Sequence, residues 1–90
     1  MKGCIVRSIA GHDKGSIYIV IGESEESLIV ADGYSRTIES PKKKNSKHIE
    51  ILQKEVNKEI VNKLESHTRD ANESVKQYVA SYKRQHRQED

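Results

Sequence analysis

Ninety residues with 16 Lys plus Arg, 14 Asp plus Glu and a formal charge of +2 are enough for one domain and an appendage. Only 33 % of the chain is apolar and it has no Trp or Phe, too little buried surface to enclose a deep substrate cavity. A single cysteine excludes an internal disulfide framework and a zinc site built on Cys pairs.

The first half reads as strands. Residues 4–10 are β-prone around Ile5, Val6 and Ile9. A loop bounded by Gly11 and Gly15 follows, then a β-branched and aromatic run, SIYIVI, over 16–21. A polar turn at 22–26 leads into a third run, SLIVA, at 27–31. Asp32 and Gly33 form a two-residue hairpin signal, because both central positions of a type I′ turn need positive φ. A weaker fourth strand is predicted at 35–39 and is closed by Pro41, which cannot donate to a sheet ladder. Residues 48–52 (HIEIL) alternate and make a fifth. This pattern predicts a small five-stranded antiparallel barrel over 1–52, since closure removes exposed edges.

The second half, 53–90, reads as a helical tail. From Lys54 onward there is no Gly and no Pro. Val56, Ile60, Val61 and Leu64 recur at helical spacing, which predicts a helix at 57–65. A break at Ser66, His67 and Thr68 follows. Asp70 with Glu73 three residues on fits a capping-box-like start to a longer helix at 70–86. Ala71, Val75, Tyr78, Val79 and Tyr82 make its apolar stripe. Lys83, Arg84 and Arg87 lie in the last turns, where positive charge suits the helix dipole. The stripe packs against the barrel or the other helix, or serves a homodimer through 70–86 or docks on a partner, or belongs to an isolated, mobile helix, since helices of this length are marginal alone in water.

Charge is unevenly placed. Residues 1–41 carry four cations against six acids, and residues 49–90 carry eight of each. Between them Lys42, Lys43, Lys44 and Lys47 stand without an acid. Such a local field attracts phosphate even when the total charge is small. Asn45, Ser46 and His48 add hydrogen-bonding groups to this run, which is read as a loop joining two strands. The alternative reading is a solvated lysine loop, or in a eukaryote an import signal. Few aromatic rings are available for base stacking, with only Tyr18 and Tyr34 in the strand half. The composition therefore favours contact with the backbone and shape of folded RNA. Four lysines on phosphates give a log–log salt slope of roughly −3.

Catalysis is not expected. His12, His48, His67 and His86 share no helix turn, and there is no H-E-x-x-H, Cys pair or G-x-S-x-G. Gly11 and Gly15 enclose three residues, which is not the Walker spacing. Cys4 lies in a predicted strand and reads as a small buried apolar residue. No cofactor or metal site is expected. No apolar run approaches the ~18 residues of a membrane span, and no secretory h-region precedes the first strand. A cytoplasmic protein without membrane contact is the expectation.

The segment from Gly3 to Ala31, centred on Ile9, Ala10, Gly11, His12, Asp13, Lys14 and Gly15, resembles a KOW motif. The continuation through Ala31, Asp32, Gly33, Arg36 and the PKKKNSKH run at 41–48 is similar to small bacterial KOW-domain RNA-binding proteins. These are related to the KOW-bearing large-subunit ribosomal proteins of archaea and eukaryotes. The resemblance implies an SH3-like five-stranded barrel that binds RNA, with ribosomal RNA and ribosomal proteins as partners. It implies contacts from Gly11, His12, Asp13, Lys14 and Gly15 in the glycine-flanked loop. It adds Arg36, and Lys42, Lys43, Lys44, Asn45, Lys47 and His48 in the basic connection. His12 departs from the pattern, where Lys or Arg is common, and leaves Lys14 as the loop's fixed positive charge.

In an up-and-down meander alternate turns share an end. The 11–15 loop is therefore expected beside the turn at Asp32 and Gly33, with the 42–48 connection at the opposite end. Either strand curvature and loop length bring the two onto one side face, or one of them is not a contact. The leading functional reading is a non-enzymatic RNA-binding module associated with the ribosome or its assembly. The alternative is a protein-interaction adaptor that uses the barrel and a dimerising or docking C-terminal helix.

Overall fold

The computed structural model describes residues 1–66 and 69–86. Its five strands are β1 (Ile5–Ser8), β2 (Ile17–Ser24), β3 (Ser27–Ala31), β4 (Lys42–Asn45) and β5 (Ile49–Gln53). Two helices follow, α1 (Lys58–Ser66) and α2 (Ala71–Gln85). The strands form one antiparallel sheet in the order β4-β3-β2-β1-β5. The expected break at Ser66, His67 and Thr68 falls mainly on 67 and 68, outside the described residues, as does Arg87.

The expected closed barrel is not formed, because the two edge strands β4 and β5 do not pair with each other. The sheet is nevertheless strongly curled. A flat five-stranded sheet sets its edges about 19 Å apart, yet a single 3-10 turn, Ser46–His48, joins β4 to β5. Three residues of that conformation rise only about 6 Å. The edges therefore approach one another at the turn, where the Ile9 N–H donates to the His48 carbonyl at 2.9 Å.

Alternation divides the apolar residues between two faces. Val6, Tyr18, Val20, Leu28 and Val30 form one buried cluster with Cys4, and Ile49 packs against it. No helix residue belongs to this cluster, so the sheet covers it by curling on itself. Ile5 and Ile19, cross-strand partners, point to the other face. There they pack with Ile60 and Leu64 of α1 and with Val75 and Val79 of α2. Of the apolar stripe of α2, Ala71, Val75 and Val79 are thus buried within the chain, and Tyr78 and Tyr82 pack against the same cluster partly buried. Gly33 shows how closely the layers approach. At φ +78°, a Cβ there would lie 2.3 Å from the Asn72 carbonyl oxygen and 2.6 Å from the Lys76 nitrogen, both backbone atoms of α2.

Three local expectations are corrected. The fourth strand lies not at 35–39 but in the lysine run itself, with Lys42, Lys43, Lys44 and Asn45 paired to Val30, Ile29, Leu28 and Ser27. Lysine has low β propensity, but it suits an edge strand because its charge repels a further strand. The two-residue hairpin turn is at Glu25 and Glu26, where Ser24 faces Ser27 and Glu25 takes φ +48°. Asp32 and Gly33 instead open a wider turn. The Asp32 carboxylate accepts from the backbone N–H groups of Tyr34 and Arg36 and from the Ser35 hydroxyl, each at 2.8 Å. Last, Asp70 makes no side-chain cap bond to α2. Its carboxylate accepts from Lys63 at 3.1 Å. The capped start is that of α1, where Asn57 Oδ1 accepts from the N–H groups of Glu59 and Ile60.

Two outcomes test this packing. Gly33→Ala forces a side chain into positive φ and into the α2 backbone. It is expected to cost at least about 1–3 kcal/mol, read as a lower thermal midpoint. A chain ending at Gln53 exposes Ile5 and Ile19 and is expected to lose cooperative unfolding by circular dichroism.

Candidate nucleic-acid interface

Alternation also divides the lysine run. Lys42 and Lys44 share a face with their cross-strand partners Val30 and Leu28, the face that carries the strand-only cluster. Lys43 lies opposite Ile29 and takes the other face. Lys44 is only 8 % exposed. An ammonium so placed needs a partner, since an unpaired buried charge is strongly unfavourable. Asp13, from the loop at 11–15, supplies it.

The Asp13 carboxylate gathers three direct donors. Its Oδ1 accepts from Lys44 Nζ at 2.7 Å and from Ser8 Oγ at 2.9 Å, and its Oδ2 accepts from the Tyr18 hydroxyl at 2.7 Å. Lys42 Nζ stands 3.9 Å from Oδ2. Lys44 Nζ also donates to the Ala10 carbonyl at 2.8 Å. Burial alone would raise the Asp13 carboxyl. The hydrogen bonds from Lys44, Tyr18 and Ser8, with the Lys44 charge, overcome it and hold the group well below the usual carboxylate range. Burial and the bond to Asp13 push the Tyr18 phenol up to about 12. At Asp32 burial again opposes ionisation, and the donors of Arg36, Tyr34 and Ser35 lower the carboxyl.

Of the two arrangements, these contacts give the one in which curvature brings the 42–48 segment to the 11–15 loop. Curling carries Lys44 to Asp13, and the β1–β5 pairing, carried one step past Ser8 and Ile49, sets His48 beside Ile9, so loop, edge strand and 3-10 turn meet. They also divide the expected contact residues by role. Asp13 and Lys44 neutralise each other, and Lys42 is partly drawn in. Gly11 takes φ +90°, where a Cβ would come within 3.1 Å of Lys44 Nζ, and Gly15 takes φ +95°. Asn45 accepts from the Lys47 backbone N–H and caps the 3-10 turn. His12, Lys14, Arg36, Lys43, Lys47 and His48 are exposed. Among the described residues, the side chains of Lys14, Lys43 and Lys47 take part in no ion pair within 4 Å. Arg7, also exposed, pairs with Glu50.

Sequence reasoning did not find the Asp13–Lys44 tie. The only available signal was one acid in the glycine-flanked loop opposite an uncompensated lysine run. Tyr18 is buried in the polar cluster, while Tyr34 is 75 % exposed. Among the described residues no group of three or more His, Cys, Asp or Glu could hold a metal ion. No helix among them is long and apolar enough to cross a membrane. No protein-family model matches the chain, and no curated protein matches it.

The Asp13 cluster makes a pH-dependent contribution to stability. A folded carboxyl held below its unfolded value stabilises the fold above the unfolded pKa of about 3.9 and loses that contribution as pH falls. Asp13→Asn is therefore expected to be less stable than the parent at pH 7 by about 1–3 kcal/mol. Urea unfolding should show this gap narrowing steadily below about pH 4.

Proposed function

We propose that the chain is a non-enzymatic RNA-binding protein that contacts folded RNA through phosphate-directed basic loops and is associated with the ribosome or its assembly. The carrying observation is the Lys44–Asp13 tie, which brings the glycine-flanked loop and the lysine run into one region. Lys14 and Lys47 stand there as exposed cations with His12 and His48 beside them, and Lys43 projects from the other side of the same edge. Lysine meets phosphate as a point charge without needing a shaped cavity. The strand order, with a short 3-10 turn joining the two sheet edges, supports an SH3-like reading of the curled sheet. The adaptor alternative draws on the α2 stripe, whose Ala71, Val75 and Val79 are already covered by the chain itself.

With Lys43 and Lys47 left of the run's four lysines and Lys14 added from the loop, three lysines give a log–log salt slope of about −2 to −3 for RNA binding. Replacing Lys14, Lys43 and Lys47 by Gln is expected to flatten that slope and abolish co-sedimentation with ribosomal particles at low salt, with the circular dichroism spectrum unchanged. Retained co-sedimentation in the folded triple variant would refute the reading.

A further inference from the structure

A second group of cations lies around Tyr34. The turn that carries this ring is tied down twice. Asp32 holds the backbone of Tyr34 and Arg36 through its carboxylate, and Gly33 lies against the α2 backbone. The backbone of the turn is held, and the Tyr34 ring it carries is 75 % exposed, which leaves room for a planar group beside it. Lys76 Nζ sits 5.2 Å from the ring centroid. Lys76, Ala80 and Lys83 follow one another along one face of α2. With Tyr34, Val79 and Asp32 they line a cleft of about 230 Å³. The cleft has an aromatic wall, small apolar residues and two lysines. Its single carboxylate, Asp32, is already engaged by three donors.

We propose that Tyr34 with Lys76 and Lys83 forms a stacking site for one unpaired RNA nucleotide, the ring taking the base and the lysines the flanking phosphates. The inference rests on the RNA-binding reading and adds to it a preference for unpaired RNA. Stacking tolerates any base, because every base has a π-face, while cations beside the ring supply affinity for the backbone. The preset loop lowers the ordering cost of the contact. The turn also adjoins the loop at 11–15. Asp32 follows Ala31, which pairs with Ile19, and Tyr18 next to it reaches Asp13. One RNA can therefore touch both regions, with a paired stretch at the lysine edge and a bulged or looped nucleotide at Tyr34.

The test uses the full chain and two probes, a short single-stranded oligoadenylate and a blunt RNA duplex, read by fluorescence anisotropy. Tyr34→Ala is expected to weaken oligoadenylate binding about 5- to 100-fold and to leave the duplex affinity unchanged. Tyr34→Phe keeps the ring and is expected to bind both as the parent does. Lys76→Ala with Lys83→Ala is expected to weaken oligoadenylate binding and reduce its salt dependence. Unchanged oligoadenylate binding by Tyr34→Ala overturns the stacking site. Binding of the duplex alone by the parent overturns it too and leaves the RNA reading standing. Binding of neither probe overturns both.

Discussion

A lysine ammonium placed inside a curled sheet must meet a negative charge, and in this chain Asp13 meets Lys44. The pair spans 31 residues of sequence and is completed by Ser8 and Tyr18 from β1 and β2. Three strands and one loop thus converge on a single carboxylate. Because Lys44 also donates to the Ala10 carbonyl, the 11–15 loop is held at both its base and its middle. The loop's other described side-chain contact to β4 is the looser pair of Asp13 with Lys42, at 3.9 Å. The same carboxylate neutralises one cation of the basic run and partly engages a second. What the surface presents to a polyanion is the remainder.

The second constraint is the pairing of sheet and helices as two layers around a shared core. A sheet of short strands covers one face by curling but leaves Ile5 and Ile19 on the other. The helices bury them, and in doing so they bury Ile60 and Leu64 of α1 and Val75 and Val79 of α2. Contact this close needs positions without side chains. Gly33 serves at α2, and at Gly3, φ +97°, a Cβ would lie 2.8 Å from Val61 Cγ2 of α1. The docking of α2 has a functional consequence as well. It backs the turn at 32–36 against a helix and so displays Tyr34 beside Lys76 and Lys83.

Much of the architecture was legible in short patterns. Four strands and both helices lie where alternation or helical spacing put them, with ends shifted by a few residues. The second strand was cut short because Gly22 reads as a turn. In the structure the strand passes through it, and the pairing shifts register between Val20 and Gly22. The lysine strand was missed for a different reason. No periodic apolar residue marks it, and its pairing with β3 is what makes it a strand. The site was half legible. The basic run and the glycine-flanked loop were both visible, but which of their charges cancel was not.

The sequence by itself determined the local terms: the alternation that gives each strand two faces, the stripes that give each helix one, and the concentration of lysine at 42–47. These depend on residues within a few positions of each other, so spacing alone reveals them. Only the tertiary structure decided that the sheet curls without closing, that Ala71, Val75 and Val79 of the α2 stripe are covered within the chain, and that Lys44 is a structural ion while Lys14, Lys43 and Lys47 stay exposed. The reason is physical. The availability of a charge depends on its neighbours in space, and the curl of the sheet chooses those neighbours from distant parts of the chain.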